Sequence, residues 1–114
     1  MSVFADYPAP PGNKRVVVAE ILGPSSYTVI SAAAPPTGGV SVTANELGLK
    51  EIEYAWVTAD NTGTYGARVI FSSAYAGRAA PSITLQVFTL ATGAEVSAAT
   101  DLDAVKFRLF AVGM

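Results

Sequence analysis

The sequence predicts a single all-β domain, an antiparallel β-sandwich or jelly-roll-like barrel with one short helical turn. Several short runs alternate apolar and polar residues or are rich in β-branched residues, and Gly- and Pro-rich turns separate them. No helical pattern extends over ten residues, and 114 residues suffice for one packed core but not for two. We therefore expect an extended N-terminal arm, residues 1–13, followed by one β domain, residues 14–114.

The N-terminal arm is too rich in proline to form a helix or a central strand. The residues responsible are Pro8, Pro10, Pro11 and Gly12. Phe4 and Tyr7 are large apolar groups on this arm, and such groups either fold back onto their own domain or insert into a neighbour. A disordered terminus is the alternative, because chain ends are often poorly ordered.

The β domain begins with a β-branched run that follows Lys14 and Arg15, and residues 16–22 are predicted to form a largely buried first strand. A short second strand is predicted at residues 27–31. The later strands are predicted at residues 51–57, 67–71, 83–90 and 106–113, with a brief edge strand at 94–96.

Alternation assigns the faces of two of these strands. In the strand after the helical turn, Ile52, Tyr54 and Trp56 are predicted to face the core. Glu51 and Glu53 are predicted to lie on its opposite side. In the next strand, the residues predicted to face inward are Ala67, Val69 and Phe71.

A capping box is predicted between the second strand and the strand at 51–57. Thr43 can cap a short helical turn, and Glu46, three residues later, can return a hydrogen bond to Thr43. Gly48 supplies the left-handed residue that ends such a turn. Leu47 and Leu49 are expected to close one end of the core.

The charge content restricts the class of partner. Only 14% of the residues are charged, well below the roughly 25% of typical soluble domains. We expect part of the exterior to be covered by copies of the chain or by a larger assembly, and a small monomer with a Ser-, Thr- and Ala-rich surface is the alternative. The net charge of −2 predicts neither nucleic-acid binding nor attraction to anionic lipid.

The remaining composition predicts synthesis in a cytoplasm, without disulfides or a membrane span. The chain has no Cys, its apolar runs are all shorter than the roughly 18 residues of a membrane helix, and its N-terminus does not resemble a signal peptide.

Catalysis and metal binding are both disfavoured by the sequence. With no His and no Cys, neither a Ser-His-Asp nor a Cys-His site can be built. Glu51 and Glu53 are expected to form a solvated strand face rather than an acid–base pair. The oxygen-bearing residues that could bind calcium are expected to cap turns instead, and no cofactor is predicted. These residues are Asp60, Asn61, Asp101 and Asp103.

Aromatic residues leave a carbohydrate-binding hypothesis open, because exposed aromatic faces on a sandwich can stack on sugar rings. The candidates are Trp56, Tyr54, Tyr65 and Tyr75. This hypothesis requires an exposed Trp56, whereas the alternation predicts a buried one.

Two blocks of the chain resemble one known family. The first is Thr37-Gly38-Gly39 followed by Leu47-Gly48-Leu49 and a strand with Tyr54. The second is Gly93-Ala94-Glu95-Val96 followed by Asp101-Leu102 and a strand that ends near Gly113. In this order the blocks are similar to those of the capsid decoration, or cement, proteins of tailed bacteriophages. The resemblance covers most of residues 14–113.

The resemblance implies a non-enzymatic virion structural protein made in a bacterial cytoplasm. Such a subunit has a β-sandwich or jelly-roll-like fold, lies on the capsid exterior and bridges major capsid proteins. It implies a small oligomer, with a trimer favoured and a dimer possible. A carbohydrate-binding module and a tail-associated virion protein are the alternatives.

The candidate capsid contacts come from composition and not from the resemblance. The arm supplies apolar contacts, and two cations after it are expected to anchor the subunit to an acidic shell. These candidates are Phe4, Tyr7, Pro10, Pro11, Lys14 and Arg15.

Overall fold

The computed structural model describes residues 2–9, 14–30, 38–58, 63–71 and 79–114, which form two antiparallel sheets packed as a sandwich. In these ranges the strands are β1 (Ser2–Ala9), β2 (Lys14–Leu22), β3 (Val40–Thr43), β4 (Ile52–Val57), β5 (Tyr65–Ile70), β6 (Ser82–Thr89) and β7 (Lys106–Gly113). One sheet has the order β1-β2-β7-β4 and the other β3-β6-β5. The predicted all-β sandwich with one short helical turn is confirmed.

The core lies between the inner faces of the two sheets. β2, β6 and β7 each bury every second residue, because successive side chains of a strand point to opposite faces. The largest fully buried side chains are Tyr27, Leu47, Ile52, Ile83, Leu85, Leu102, Phe107 and Leu109. Ala67, Val69 and Phe71 pack against this core, as the alternation predicts.

The capping box forms as predicted. The Glu46 amide donates to Thr43 Oγ1 at 3.2 Å, and the Thr43 amide donates to Glu46 Oε1 at 3.1 Å. A 3₁₀ helix spans Asn45–Leu47, and Gly48 ends it with φ of 75°. Leu47 and Leu49 are buried in the core cluster, so this turn closes one end of the sandwich.

Strand β4 corrects the predicted face of two aromatic residues. Ile52 lies opposite Gly113 and Tyr54 opposite Val112, so Glu53 is an extra residue in β4, as in a β-bulge. Beyond the bulge the faces are reversed relative to simple alternation. Tyr54 and Trp56 are therefore exposed, and the prediction that they face the core is wrong.

The predicted second strand is also wrong over its described part. Residues 27–30 have no strand pairing, and Ser31 lies outside the described residues. Tyr27 is instead held by side-chain bonds: its hydroxyl donates to Glu95 Oε2 at 2.8 Å and accepts from the Val87 amide at 3.1 Å. Glu95 also accepts the Ile30 amide at 3.0 Å. The main chain of Tyr27 bonds to Thr100 and Ala99, so loop contacts and the buried phenol hold this segment without a strand ladder.

Two predicted turn regions have different outcomes. The predicted edge strand at 94–96 is reduced to one bridge, between Phe88 and Glu95. The turn predicted at Asp101 forms, because its side chain accepts the Asp103 amide at 3.0 Å. Asp60 and Asn61 lie outside the described residues.

The predicted N-terminal arm is extended over residues 2–9, and it is paired to the domain. These residues form β1, antiparallel to β2, at one edge of the four-stranded sheet. An edge position accommodates Pro8, which has no amide hydrogen to donate to a central ladder. Residues 10–13 lie outside the described ranges.

The Tyr27 network makes a prediction about alkaline pH. Tyr27 is 1% exposed, and desolvation by burial raises the pKa of its hydroxyl from the usual 10.0 to about 12. The unfolded chain then loses this proton near pH 10 while the folded chain keeps it. Stability should fall by about 3 kcal/mol as pH rises from 10 to 12, a loss that urea unfolding measures.

The Tyr27→Phe variant should lack this alkaline component and be less stable at neutral pH by about 1–3 kcal/mol, because Glu95 and the Val87 amide lose a partner. Tyr54→Phe, at an exposed tyrosine, is the matched control and should follow the wild type. The same alkaline slope in both variants would contradict the assignment to Tyr27.

Ala99 is strained by its backbone. Among the described residues other than glycine it alone has a positive φ, 66°, a conformation that costs an L-residue about 1–2 kcal/mol. Ala99→Gly should therefore raise the free energy of unfolding by about 0.5–1 kcal/mol, after subtraction of the entropy that glycine adds to the unfolded chain. The neighbouring Ala98→Gly is the control and should lower stability in the same thermal melts.

Candidate interaction face

The outer face of the four-stranded sheet carries a continuous group of apolar and aromatic side chains. Strand register arranges six of them in two rows across β2, β7 and β4. One row is Val16, Val112 and Tyr54, and the other is Val18, Phe110 and Trp56. We call these six residues the outer face.

The aromatic residues of the outer face are open to solvent. Tyr54 is 70% exposed and Trp56 is 49% exposed. The Trp56 and Phe110 rings are parallel within 3° with centroids 5.5 Å apart, an offset-stacked pair. Rigid, half-exposed aromatic residues of this kind act as anchors in protein interfaces.

Charged groups of both signs border the outer face at its two ends. At one end Lys14 Nζ lies 3.1 Å from Glu53 Oε1, the carboxylate of the bulge residue. At the other end Glu20 on β2 is directly opposite Arg108 on β7. The border is therefore balanced in charge, with one acid and one base at each end.

One oxygen at this border is unsatisfied. Glu53 Oε2 is shielded from solvent and has no hydrogen-bond partner among the described residues. A shielded carboxylate oxygen without a donor costs about 1–3 kcal/mol, so this oxygen is a local cost of the bulge.

The outer side of the three-stranded sheet is different. Its centre carries Ser41 opposite Thr84 and Gln86 opposite Arg68, all polar. The Arg68 guanidinium lies 5.1 Å from the Phe88 ring centre and covers that aromatic residue. Apart from Ile70 and Phe88 this side is polar, so we call it the polar side and contrast it with the apolar outer face of the four-stranded sheet.

The two cations predicted to anchor a shell already bind within the domain. Lys14 pairs with Glu53, and Arg15 Nη1 donates to the Gly48 carbonyl at 3.2 Å. Phe4 and Tyr7 belong to β1, but their side chains lie outside the described structure, as do Pro10 and Pro11. Of the two candidates whose side chains are described, Lys14 lies at the border of the outer face and Arg15 does not.

The described residues do not form the catalytic or metal sites that were considered from the sequence. In the ranges that the structure describes, no group of three or more acidic side chains could hold a metal ion. The backbone of Glu51 forms hydrogen bonds with the backbone of Met114, and the Glu53 carboxylate forms an ion pair with Lys14. Tyr75 lies outside the described residues. Across the described residues, no helix is long and apolar enough to cross a membrane.

Sequence reasoning missed the outer face, although β7 carried a signal for it. Phe107, Leu109 and Ala111 fill the inner side of β7, and Phe110 and Val112 are apolar on its outer side. A strand that is apolar on both sides is typical of strands covered on both faces. The bulge that turns Tyr54 outward has no comparable signal in the alternation of β4.

Comparisons of the chain with protein-family models, with curated proteins and with solved structures find no match.

Tryptophan fluorescence tests the reversed face of β4. Trp56 is the sole tryptophan of the chain, so its emission reports this site alone. In dilute solution the emission should be red-shifted relative to a buried indole and quenched by iodide, because half of the side chain is open to water. A blue-shifted emission that iodide does not quench at any protein concentration would contradict the bulge.

Proposed function

We propose that this chain is a capsid decoration, or cement, subunit that lies on the exterior of a tailed-phage head and bridges major capsid proteins. The observation that carries the proposal is the outer face, which exposes Tyr54 and Trp56 on a protein of low charge. Such a surface is typical of a protein that works in an assembly. The resemblance of the two sequence blocks to decoration proteins supports the choice of assembly.

The mechanism needs only modest binding at each site. A protein that binds the assembled shell and not its dissociated parts stabilises the shell by mass action. Because the shell repeats the same junction many times, a small free energy per junction adds up over the whole particle. Neither a cofactor nor a reaction is required of the subunit.

The proposed shell contact is the edge of the four-stranded sheet at β1. β1 is the outermost strand of this sheet, and a strand at a sheet edge can bind a second protein through main-chain hydrogen bonds. Phe4, Tyr7, Pro10 and Pro11 belong to this end of the chain and remain the candidate contacts. Lys14 and Arg15 are assigned to stabilising the domain, since both have partners there.

Co-sedimentation tests the decoration proposal. The purified chain should pellet with expanded shells of its phage and not on its own, and a double variant Phe4→Ser/Tyr7→Ser should pellet less. Thr84→Ala, on the polar side of the sandwich, is the control and should bind as the wild type does. If the chain binds neither expanded shells nor procapsids, the proposal is excluded.

Deleting residues 2–12 is not a suitable test of this contact. The deletion removes β1, which pairs with β2 along almost its whole length, and so it destabilises the sheet as well as the contact. The point variants keep the strand backbone, and their melting temperatures show whether the fold is intact.

Carbohydrate binding is the second candidate function, because the structure meets its requirement of an exposed Trp56. Tyr54 and Trp56 present aromatic surface side by side on the outer side of the sheet, where sugar rings can stack on them. Polysaccharides included in native gels should then retard the wild type and not Trp56→Ala. Equal mobility of the two proteins over a broad set of polysaccharides would exclude this function.

A further inference from the structure

We propose that the outer face is covered by a second copy of this chain, packed face to face about a two-fold axis. The proposal deepens the assembly role proposed above and rests on it for the premise that this face is covered. The axis runs between the two sheets, parallel to their planes and perpendicular to the strands. It passes over β7 at the level of Ala111. It makes the oligomer a dimer, in place of the trimer that the resemblance favours.

The apolar rows match themselves under this rotation. The row of Val112 and the row of Phe110 lie one on each side of Ala111. The rotation exchanges the two rows, so Tyr54 lies over Trp56 of the second copy and Val112 over Phe110 of the second copy. Two flat sheets with apolar faces pack in this way about 10 Å apart, as the two sheets of a sandwich do.

The charged borders match as well. Lys14 continues β2 by two residues on one side of the apolar rows, and Glu20 continues it by two on the other. The rotation therefore brings Lys14 over Glu20 of the second copy, and Glu20 over Lys14. Each acid meets a base, whereas an unrelated partner would have to supply both signs in this spacing.

The Glu53 carboxylate meets a group of opposite charge in the same arrangement. Glu53 lies at the Val112 end of β4, and the rotation brings it to the end of the second copy where Arg108 faces Glu20. A guanidinium has five N–H donors, so Arg108 can keep its contacts within the subunit and still present positive charge to the partly exposed Glu53 side chain of the second copy.

The size of the face fits a weak and reversible dimer. The outer face and its charged borders span three strands about 4.8 Å apart over about 24 Å, from Lys14 to Glu20 on β2, which is roughly 350 Å² per copy. The pair then covers about 700 Å², below the roughly 1,000 Å² of a stable interface and in the range of weak, transient ones. Association should therefore depend on concentration within an accessible range.

Sedimentation velocity over a concentration series tests the dimer. The wild type should move from monomer to dimer as its concentration rises, and Trp56→Lys should weaken association at least about tenfold. Tyr54→Lys, at the most exposed position, is a second variant in case the first fails to fold. Thr84→Lys on the polar side is the control and should associate as the wild type does.

A mixing experiment tests the two-fold arrangement itself. Lys14→Glu and Glu20→Lys should each weaken self-association, because each places like charges opposite one another at two points. An equimolar mixture should form a heterodimer, in which the two acids of the first variant face the two bases of the second. No recovery on mixing would overturn the arrangement, and a wild type that stays monomeric at all concentrations would overturn the dimer.

The shell experiment and the dimer experiment fail independently. A chain that binds shells but does not self-associate contradicts the second copy and leaves the decoration role. A chain that forms the dimer but binds no shell contradicts the decoration role and leaves the covered face.

Discussion

Strand β4 can bury Ile52 and still expose Trp56 only because Glu53 is inserted as an extra residue opposite β7. A regular strand would place both side chains on the same side, and one indole would then have to fit into a core already filled by Leu109 and Ala111. The bulge resolves this conflict, and its extra side chain forms the ion pair with Lys14. The exposure of Tyr54 and Trp56, the ion pair with Lys14 and the unsatisfied oxygen all follow from this one inserted residue.

The two outer sides of the sandwich differ in polarity. On the three-stranded sheet, hydroxyl, amide and guanidinium groups interact well with water, and Arg68 covers the Phe88 ring. On the four-stranded sheet the apolar side chains of the outer face lie beside water, with Tyr54 70% and Trp56 49% exposed. The core stabilises the isolated subunit, and the proposed assembly would add the burial of these side chains.

Much of the fold could be predicted from local patterns. The capping box depends on a hydrogen bond between residues three apart. The strands predicted at 83–90 and 106–113 depend on the alternation of apolar and polar neighbours. The region at residue 27 could not be predicted in this way, because the partners of Tyr27 are the distant Glu95 and Val87. The outer face was missed for a similar reason, since a bulge depends on how two strands pair and not on the composition of either. The low charge content predicts a covered exterior, which stays a prediction, and it does not specify which surface would be covered.

The position of β7 in the sheet affects how the chain is made. β7 is the last described strand to be synthesised, yet it lies between β2 and β4 and supplies the ladder partner of both. Until β7 is synthesised, β2 and β4 lack their central neighbour. The backbone N–H and C=O groups that pair with β7 are then unpaired, and apolar side chains are exposed. The three-stranded sheet can form earlier, because β3, β5 and β6 all precede β7. Nascent chains should thus pass through an incomplete sandwich that is vulnerable to aggregation, and a chaperone that shields β2 and β4 should raise the yield of folded protein in cells.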